Sequence, residues 1–182
     1  MDFKFLADTV RNIILNTVKE WDSIYTENRP ASLFSRSLFF PLVTLASIST
    51  FLGAFLFTNT ELTNIYSLIA GIRYFIVMTI VVYGTALALR EIMRSFGYRN
   101  DSGTAFKIVS VSVVPLLLCQ IVSQLFESFI FVNILAFFGL YILYTGIERM
   151  ISPSESERIK IIRAVLLVFF LLFILNGRII RQ

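Results

Sequence analysis

Blocks of about 18 to 20 apolar residues, separated by short polar segments, recur along this 182-residue chain. A helix needs roughly 20 apolar residues to cross the hydrocarbon layer of a bilayer, so each block has the length of one membrane span. The composition agrees, since 57% of the residues are hydrophobic and 15% are charged, against roughly 45–50% and about 25% in soluble domains. The sequence therefore predicts an all-α polytopic membrane helical bundle, with about five transmembrane helices and an amphipathic amino-terminal helix.

The apolar pattern divides the chain into two regions. Residues 1–31 are predicted to form a cytoplasmic amphipathic helix and a linker, because apolar residues recur every three or four positions from Phe3 to Tyr25 before Pro30 interrupts the pattern. Residues 32–182 are predicted to form the transmembrane domain, with spans at about 38–57, 70–89, 108–126, 129–147 and 162–180. The fifth span has a charge-free core of only 14 residues, from Ala164 to Gly177, so Arg163 and Arg178 are expected to extend toward opposite surfaces.

The connections between the spans also carry structural signals. Residues 90–107 are expected to be a polar loop, and Pro115 is expected to kink the third span. The third and fourth spans are joined by Glu127 and Ser128 alone, which predicts an antiparallel hairpin. The run Ser152, Pro153, Ser154, Glu155 is expected to start the last helix, with Ser152 as its cap.

Lysine and arginine are unevenly distributed among the connections. Thirteen of the 16 basic residues fall in the amino-terminal segment, the second loop and the fourth loop, and the first and third loops have none. Basic residues are retained on the cytoplasmic side of a span, so the amino terminus is predicted to be cytoplasmic and the carboxyl terminus external. With no cleavable export signal recognisable, the expected location is a bacterial cytoplasmic (inner) membrane.

The sequence offers little for catalysis. It contains no histidine and one cysteine, Cys119, which excludes histidine-centred triads and thiolate metal clusters. No phosphate-binding or dinucleotide-binding glycine motif is present. The basic residues are dispersed rather than gathered into a patch, which argues against nucleic acid as a partner. The chain is therefore predicted not to be an enzyme and to need no metal or cofactor.

Polar residues inside the spans are the first candidate functional set. The third span carries a polar stripe, made of Ser112, Gln120, Ser123, Gln124 and Glu127. The stripe either hydrogen-bonds to neighbouring helices inside the bundle or lines a path for a solute, as in a small transporter or channel subunit. Arg73 is predicted to pair with Glu127 in a structural clamp, with Glu61 as a competing partner and a substrate or proton site as the alternative.

Aromatic residues outside the spans are the second candidate set. A cytoplasmic docking surface for an unidentified protein, or for a second copy of the chain, is predicted around Trp21 and Tyr25 of the amino-terminal helix and Phe96, Gly97 and Tyr98 of the second loop. The alternative is that these aromatic residues anchor at the headgroup level. The amino-terminal helix itself is expected to lie along the inner interface or against the bundle, with Trp21 as its anchor.

Three segments together resemble a known family. They are ILNTVKEWDSIYTEN at 14–28, FFPLVTLASISTFLG at 39–53 and FGYRNDSGTAFKIVSVSVVP at 96–115, and their order is similar to that in bacterial members of the Yip family of Ypt/Rab-interacting membrane proteins. The resemblance extends over nearly the whole chain. It implies a five-helix bundle with a cytoplasmic amino terminus, in agreement with the predicted topology.

The resemblance also implies a role without an enzymatic reaction. Eukaryotic members act in vesicle traffic by binding small GTPases and shaping membranes. This chain lacks their longer amino-terminal region and its aspartate-tyrosine-glycine-proline motif, so the expected role is the more general one of protein association or membrane organisation.

Overall fold

The computed structural model describes residues 3–57, 63–98, 101–126 and 134–179, and these residues are almost entirely helical. The helices are α1 (Phe3–Leu15), α2 (Thr17–Thr26), α3 (Ala31–Phe57), α4 (Thr63–Ser95), α5 (Ser102–Ser112), α6 (Val114–Leu125), α7 (Phe138–Ile151) and α8 (Glu155–Ile179). A short 3-10 segment at 134–137 precedes α7. The predicted all-α helical bundle is confirmed.

The amino-terminal segment is two helices, so the prediction of a single helix was wrong. Asn16 separates α1 from α2 with a φ of −142° and a ψ of 53°. Two backbone bonds nevertheless bridge the break, from Asn16 N to Asn12 O (2.7 Å) and from Glu20 N to Asn16 O (3.0 Å). The break is therefore a local change of direction, and it lets α1 and α2 present their apolar faces to different parts of the bundle.

Four of the described helical segments are long and apolar enough to cross a membrane: Ala31–Phe57, Asn64–Ser95, Ser102–Leu125 and Ile134–Ile151. The first begins at Ala31, before the predicted start at 38, and contains a wide π-helical turn at Ser35–Phe39. Pro41 lies just beyond that turn. It has no N–H to donate to the carbonyl four residues earlier, which accounts for the local departure from α-helical geometry.

The predicted loop at 90–107 is mostly helix. Helix α4 continues through Arg90 and Arg94 to Ser95, and α5 already begins at Ser102. Arginine, glutamate and methionine are good helix formers, and Arg94 lies 3.7 Å from Glu91 one turn away. Charge ended the predicted span, but it did not end the helix.

The third span is interrupted where the sequence predicted a kink. The helix stops at Ser112, Val113 forms a turn, and a new helix starts at Val114 with Pro115 in its first turn. Proline lacks the N–H that would continue the hydrogen-bond ladder, and its ring crowds the preceding turn. The predicted kink at Pro115 is confirmed.

The fourth span and the start of α8 differ from their predicted positions. Helix α7 ends at Ile151 rather than near 147, and Ser152 is its left-handed C-cap (φ 53°), not the cap of α8. The Ser154 hydroxyl donates to Glu157 Oε2 (2.6 Å), and the Ser154 N–H donates to the same oxygen (3.3 Å). The cap of α8 thus uses a serine and a glutamate two residues later than predicted. Residues 127–133, with the predicted hairpin tip, lie outside the described residues.

Helix α8 packs lengthwise against α4, with Leu172 in contact with Gly84. Its outer face is apolar and exposed, at Leu167, Phe170, Leu171 and Phe173. A fifth span at 162–180 stays a prediction, supported by this exposed apolar face.

The bundle has a buried interior and an apolar exterior. Fully buried side chains from different helices meet in the interior, among them Phe39, Met78, Leu117 and Ile142. Along α4, Leu68, Ile72, Ile76 and Ile80 recur every fourth residue and are all about half exposed. Residues four apart share one helix face, so α4 presents a continuous apolar stripe of the kind that contacts lipid.

A candidate functional site at the basic end of the bundle

The segments richest in lysine and arginine meet at one end of the bundle. Arg149, in the last turn of α7, lies 3.6 Å from Asp22 on α2, and Arg158 on α8 lies 2.7 Å from Glu148 on α7. The Tyr98 hydroxyl, just beyond α4, donates to Glu157 on α8 (2.6 Å). We call this region, formed by α1, α2, residues 96–98, Asp101 and the α7–α8 junction, the basic end.

Trp21 anchors the amino-terminal helices in the bundle. Its side chain is fully buried, and it packs on Gly146 of α7. A β-carbon at Gly146 would lie 2.6 Å from Cζ2 of the indole, so any larger residue there would displace the ring. The amino-terminal helix was predicted to lie either along the inner interface or against the bundle, and in the structure it lies against the bundle. Trp21 is therefore a packing anchor, and the prediction that it contributes to an exposed docking surface was wrong.

A polar cluster holds α1 and α2 to the chain that follows them. The Glu20 carboxylate is 5% exposed, lies 3.3 Å from Arg29 Nη1, and accepts a hydrogen bond from the Asn12 side chain (3.1 Å). Arg29 also donates to Glu27 (2.6 Å) and lies over the ring of Phe5 at 5.7 Å. Buried carboxylates are stable only when paired, so the turn after α2 is fixed by charge as well as by packing.

The same cluster perturbs the ionisation of Glu27. The hydrogen bond from Arg29, aided by one from Ser23, lowers the pKa of the Glu27 carboxyl to about 2. The guanidinium of Arg29 has its pKa raised by the same contact with Glu27. Both groups remain charged throughout the physiological pH range.

Lys107 joins this cluster to α5. It is 5% exposed, and its ammonium donates to the backbone carbonyl of Arg29 (3.2 Å). Asp101 caps the same helix by accepting from Gly103 N and Thr104 N, each at 3.0 Å. The hydrogen bond from the Thr104 side chain is the main cause that lowers the pKa of Asp101. From the sequence, Lys107 was interpreted only as a charged residue of a loop. The signal that could have placed Lys107 in a helix is Asp101, a helix-capping residue that precedes it.

The remaining predicted docking residues differ in exposure. Tyr25 is 62% exposed on α2. Gly97 is exposed and adopts a φ of 78°, which allows the sharp turn after α4. Phe96 and Tyr98 are half-buried, and the carboxylate of Glu157 that holds the Tyr98 hydroxyl raises the pKa of that tyrosine. All four lie at the basic end, and their role in docking stays a prediction.

The polar stripe of the third span is packed against a neighbouring helix. Gln120, Ser123 and Gln124 are half-buried on α6, and a β-carbon at Gly53 of α3 would collide with the backbone carbonyl of Gln124. The hydroxyls of Ser112 and Ser123 donate to carbonyls of their own helices. Arg73 is half-buried on α4. Its predicted partner Glu127 and the competitor Glu61 lie outside the described residues, so that pair stays a prediction.

Metal-binding side chains are not clustered in the part of the chain that the structure describes. Within residues 3–57, 63–98, 101–126 and 134–179, no three cysteine, aspartate or glutamate side chains are placed to hold a metal ion. Cys119 is buried in α6. The polar groups at the basic end instead pair with one another, cap helices and join separate segments.

Comparison with known proteins gives one match. The family model described as Yip1 domain matches residues 11–176, which includes the end of α1, all of α2 to α7 and most of α8. No curated protein and no solved structure matches the chain significantly. Since the family model covers far more than half of the sequence, and the described helices form an apolar helical bundle, the chain is a membrane protein that belongs to the Yip1-domain family.

Proposed function

We propose that this protein is a non-enzymatic integral membrane protein that acts through protein association at the basic end, in the organisation of its membrane. The observation that carries the proposal is the docking of α1 and α2 onto the end of the bundle through Trp21. These helices add folded surface outside the spans, where a specific interface needs roughly 800 Å² per partner.

The surface is also held in place before any partner binds. Trp21 fixes α2 to α7, the Glu20–Arg29 pair fixes the turn after α2, and Lys107 joins that turn to α5. A preordered surface loses less conformational entropy on association. An exposed aromatic residue such as Tyr25 on a fixed helix suits an interface with an unidentified protein or a second copy of the chain.

A transport role for the polar stripe has less support. Helices α3 and α6 approach closely at Gly53 and Gln124, and two stripe hydroxyls are bonded within their own helices. Close packing of this kind supports a structural role for the stripe. The transporter alternative would need a hydrated path beside Gln120, and no described contact favours one.

The proposed location is a bacterial cytoplasmic membrane, with the basic end in the cytoplasm. The meeting of the basic segments at one end supports this orientation, since such residues are retained on the cytoplasmic side. Topology reporters fused at residues 1, 100 and 155 should read cytoplasmic, and those at 62, 128 and 182 external. A cytoplasmic reading at 182 would contradict the fifth span.

The association itself is tested by placing a photo-crosslinking amino acid at Tyr25 in intact cells. Tyr66 is the matched control, because it is an exposed tyrosine (56%) near the opposite end of α4. A discrete crosslinked protein or dimer from position 25, absent from position 66, is the expected result. If the two positions give the same products, the basic end is not a docking surface.

A further inference from the structure

A cavity of about 270 Å³ lies among α4, α5, α6, α7 and α8, away from the basic end. Its walls are apolar, with Val109, Leu116, Leu143, Val165 and Phe169 among the residues that line it. Water in a cavity needs two to four polar partners, and apolar cavities stay dry. The occupant that suits these walls is therefore apolar.

The cavity opens sideways onto the apolar exterior of the bundle. Phe137, Leu140 and Phe170 line it and are also exposed, at 66%, 39% and 52%. These three residues belong to the 3-10 segment, α7 and α8, which border the opening. In a membrane protein such an opening faces the bilayer, so the molecule with direct access to it is a lipid.

One polar side chain in the wall is unusual. Thr85 on α4 is 1% exposed, lines the cavity, and has a hydroxyl without a hydrogen-bond partner among the described residues. Several other buried hydroxyls in the bundle donate to the carbonyl four residues earlier, as do those of Ser47, Ser112 and Thr145. A buried hydroxyl that makes no hydrogen bond is unfavourable, so a ligand that brings an acceptor to Thr85 would be stabilised there.

We propose that this cavity binds an acyl chain of a membrane phospholipid, with the ester carbonyl of that chain accepting a hydrogen bond from Thr85. The volume is below the roughly 300 to 1,000 Å³ of pockets that enclose a whole drug-sized ligand. It fits a segment of one chain, with the headgroup and the second chain left in the bilayer. The site shares no lining residue with the proposed docking surface, so either proposal can fail without the other.

The test measures retention of dioleoyl phosphatidylglycerol by the full-length protein in detergent micelles, by native mass spectrometry during a lipid titration. Two neighbouring residues of α8 provide matched variants. Leu166 lines the cavity, whereas Leu167 does not and is 64% exposed. Leu166→Trp fills the site and should weaken retention of the tightest lipid by about tenfold or more, because an occupied core volume resists a second occupant. Leu167→Trp should retain the lipid like the parent.

Thr85→Val removes the hydroxyl and keeps the shape of the side chain. It should weaken retention by about two- to tenfold, the loss expected for one hydrogen bond. Thermal unfolding of each variant without lipid confirms folding, and Leu116→Trp replaces Leu166→Trp if that variant does not fold. Equal retention by the filled variant and Leu167→Trp would overturn the site. Parental retention by Thr85→Val would overturn the ester contact, and full competition by free oleic acid would overturn the assignment to a phospholipid.

Discussion

The basic end and the membrane-spanning part of this protein satisfy their polar groups in different ways. In the spans, hydroxyls such as those of Ser47 and Thr79 donate to carbonyls of their own helix, so each helix is nearly self-sufficient. At the basic end, polar groups bond across segments, as Lys107 does with the carbonyl of Arg29 and Tyr98 with Glu157. The described spans are therefore held together mainly by packing, although a hydrogen bond between Ser35 and Tyr83 (3.0 Å) also joins α3 to α4. The basic end is held together by packing and by several specific polar contacts.

Removal of the Trp21 side chain should have the largest effect on stability among the changes that test this difference between the two regions. Trp21→Ala should lower the free energy of unfolding by about 3–5 kcal/mol, as for other buried aromatic residues, and should expose α1 and α2 to protease before the spans unfold. The measurement is thermal unfolding in detergent with limited proteolysis. Tyr25→Ala is the control, because Tyr25 is on the same helix and exposed. If both variants match the parent, Trp21 does not anchor the segment.

Loss of the buried ion pair between Glu20 and Arg29 at the basic end should have the second-largest effect on stability. Glu20→Ala should cost about 2–3 kcal/mol, since it removes a buried hydrogen bond to a charged group and leaves Asn12 without its acceptor. Thr79→Val is the matched variant in the spans and should change stability less, because its hydroxyl bonds only to its own helix. Equal effects of the two changes, measured by chemical unfolding, would remove the distinction between the regions.

The cap of α5 should have a smaller effect. Asp101→Ala should cost about 1 kcal/mol, the usual loss for a helix N-cap, because it removes the acceptor for Gly103 N and Thr104 N. Asp101→Asn should keep part of the stability, since its single amide oxygen can replace one of the two carboxylate oxygens that accept these bonds. The two variants are compared by thermal unfolding, and the cap assignment fails if Asn is as harmful as Ala.

The smallest expected effect is a dependence on acid at Glu27. Its folded pKa of about 2 lies below the ordinary value of 4.5 for a glutamate, so the stability that Glu27 contributes is present above pH 4.5 and is lost as pH falls toward 2. As the pH falls through that window, the melting temperature of the Glu27→Gln variant should decrease less than that of the parent protein. Salt should reduce the effect as well, because this contact is exposed. Identical pH profiles for the two proteins would contradict the Arg29–Glu27 contact.

The sequence predicted four of the long apolar helices because hydropathy and length determine which segments can cross a bilayer. It also predicted the kink, because the missing N–H of Pro115 acts locally. Two other features depend on tertiary contacts. The amphipathic face around Trp21 would suit a lipid interface as well as the site beside Gly146, so the sequence alone does not choose between them. Similarly, the sequence around Lys107 does not show whether this lysine lies in an exposed loop or in a buried helix. The end of α4 was placed too early because charge was treated as a helix boundary.

The candidate site was predicted only in outline. The basic segments were assigned to one side from their charge, and the structure brings them to one end of the bundle. Which of their residues are buried could not be predicted, since Glu20 and Arg29 are nine residues apart and their pairing depends on the turn between them. Trp21 is buried and Tyr25 is exposed, although they are only about one helical turn apart on α2. An amphipathic pattern does not define the buried face of a helix narrowly enough to distinguish two such positions.

The length of α4 determines how far Phe96, in the proposed docking surface, stands from the lipid. This helix has 33 residues and is about 50 Å long, against roughly 30 Å for the hydrocarbon layer. If residues 70–89 fill that layer, the last six residues raise Phe96 by about 9 Å, close to the outer limit of the headgroups. The helix thus works as a spacer for one edge of the proposed surface: insertion or deletion of one turn after Leu89 would move Phe96 by about 5.4 Å relative to α2, which Trp21 fixes to α7.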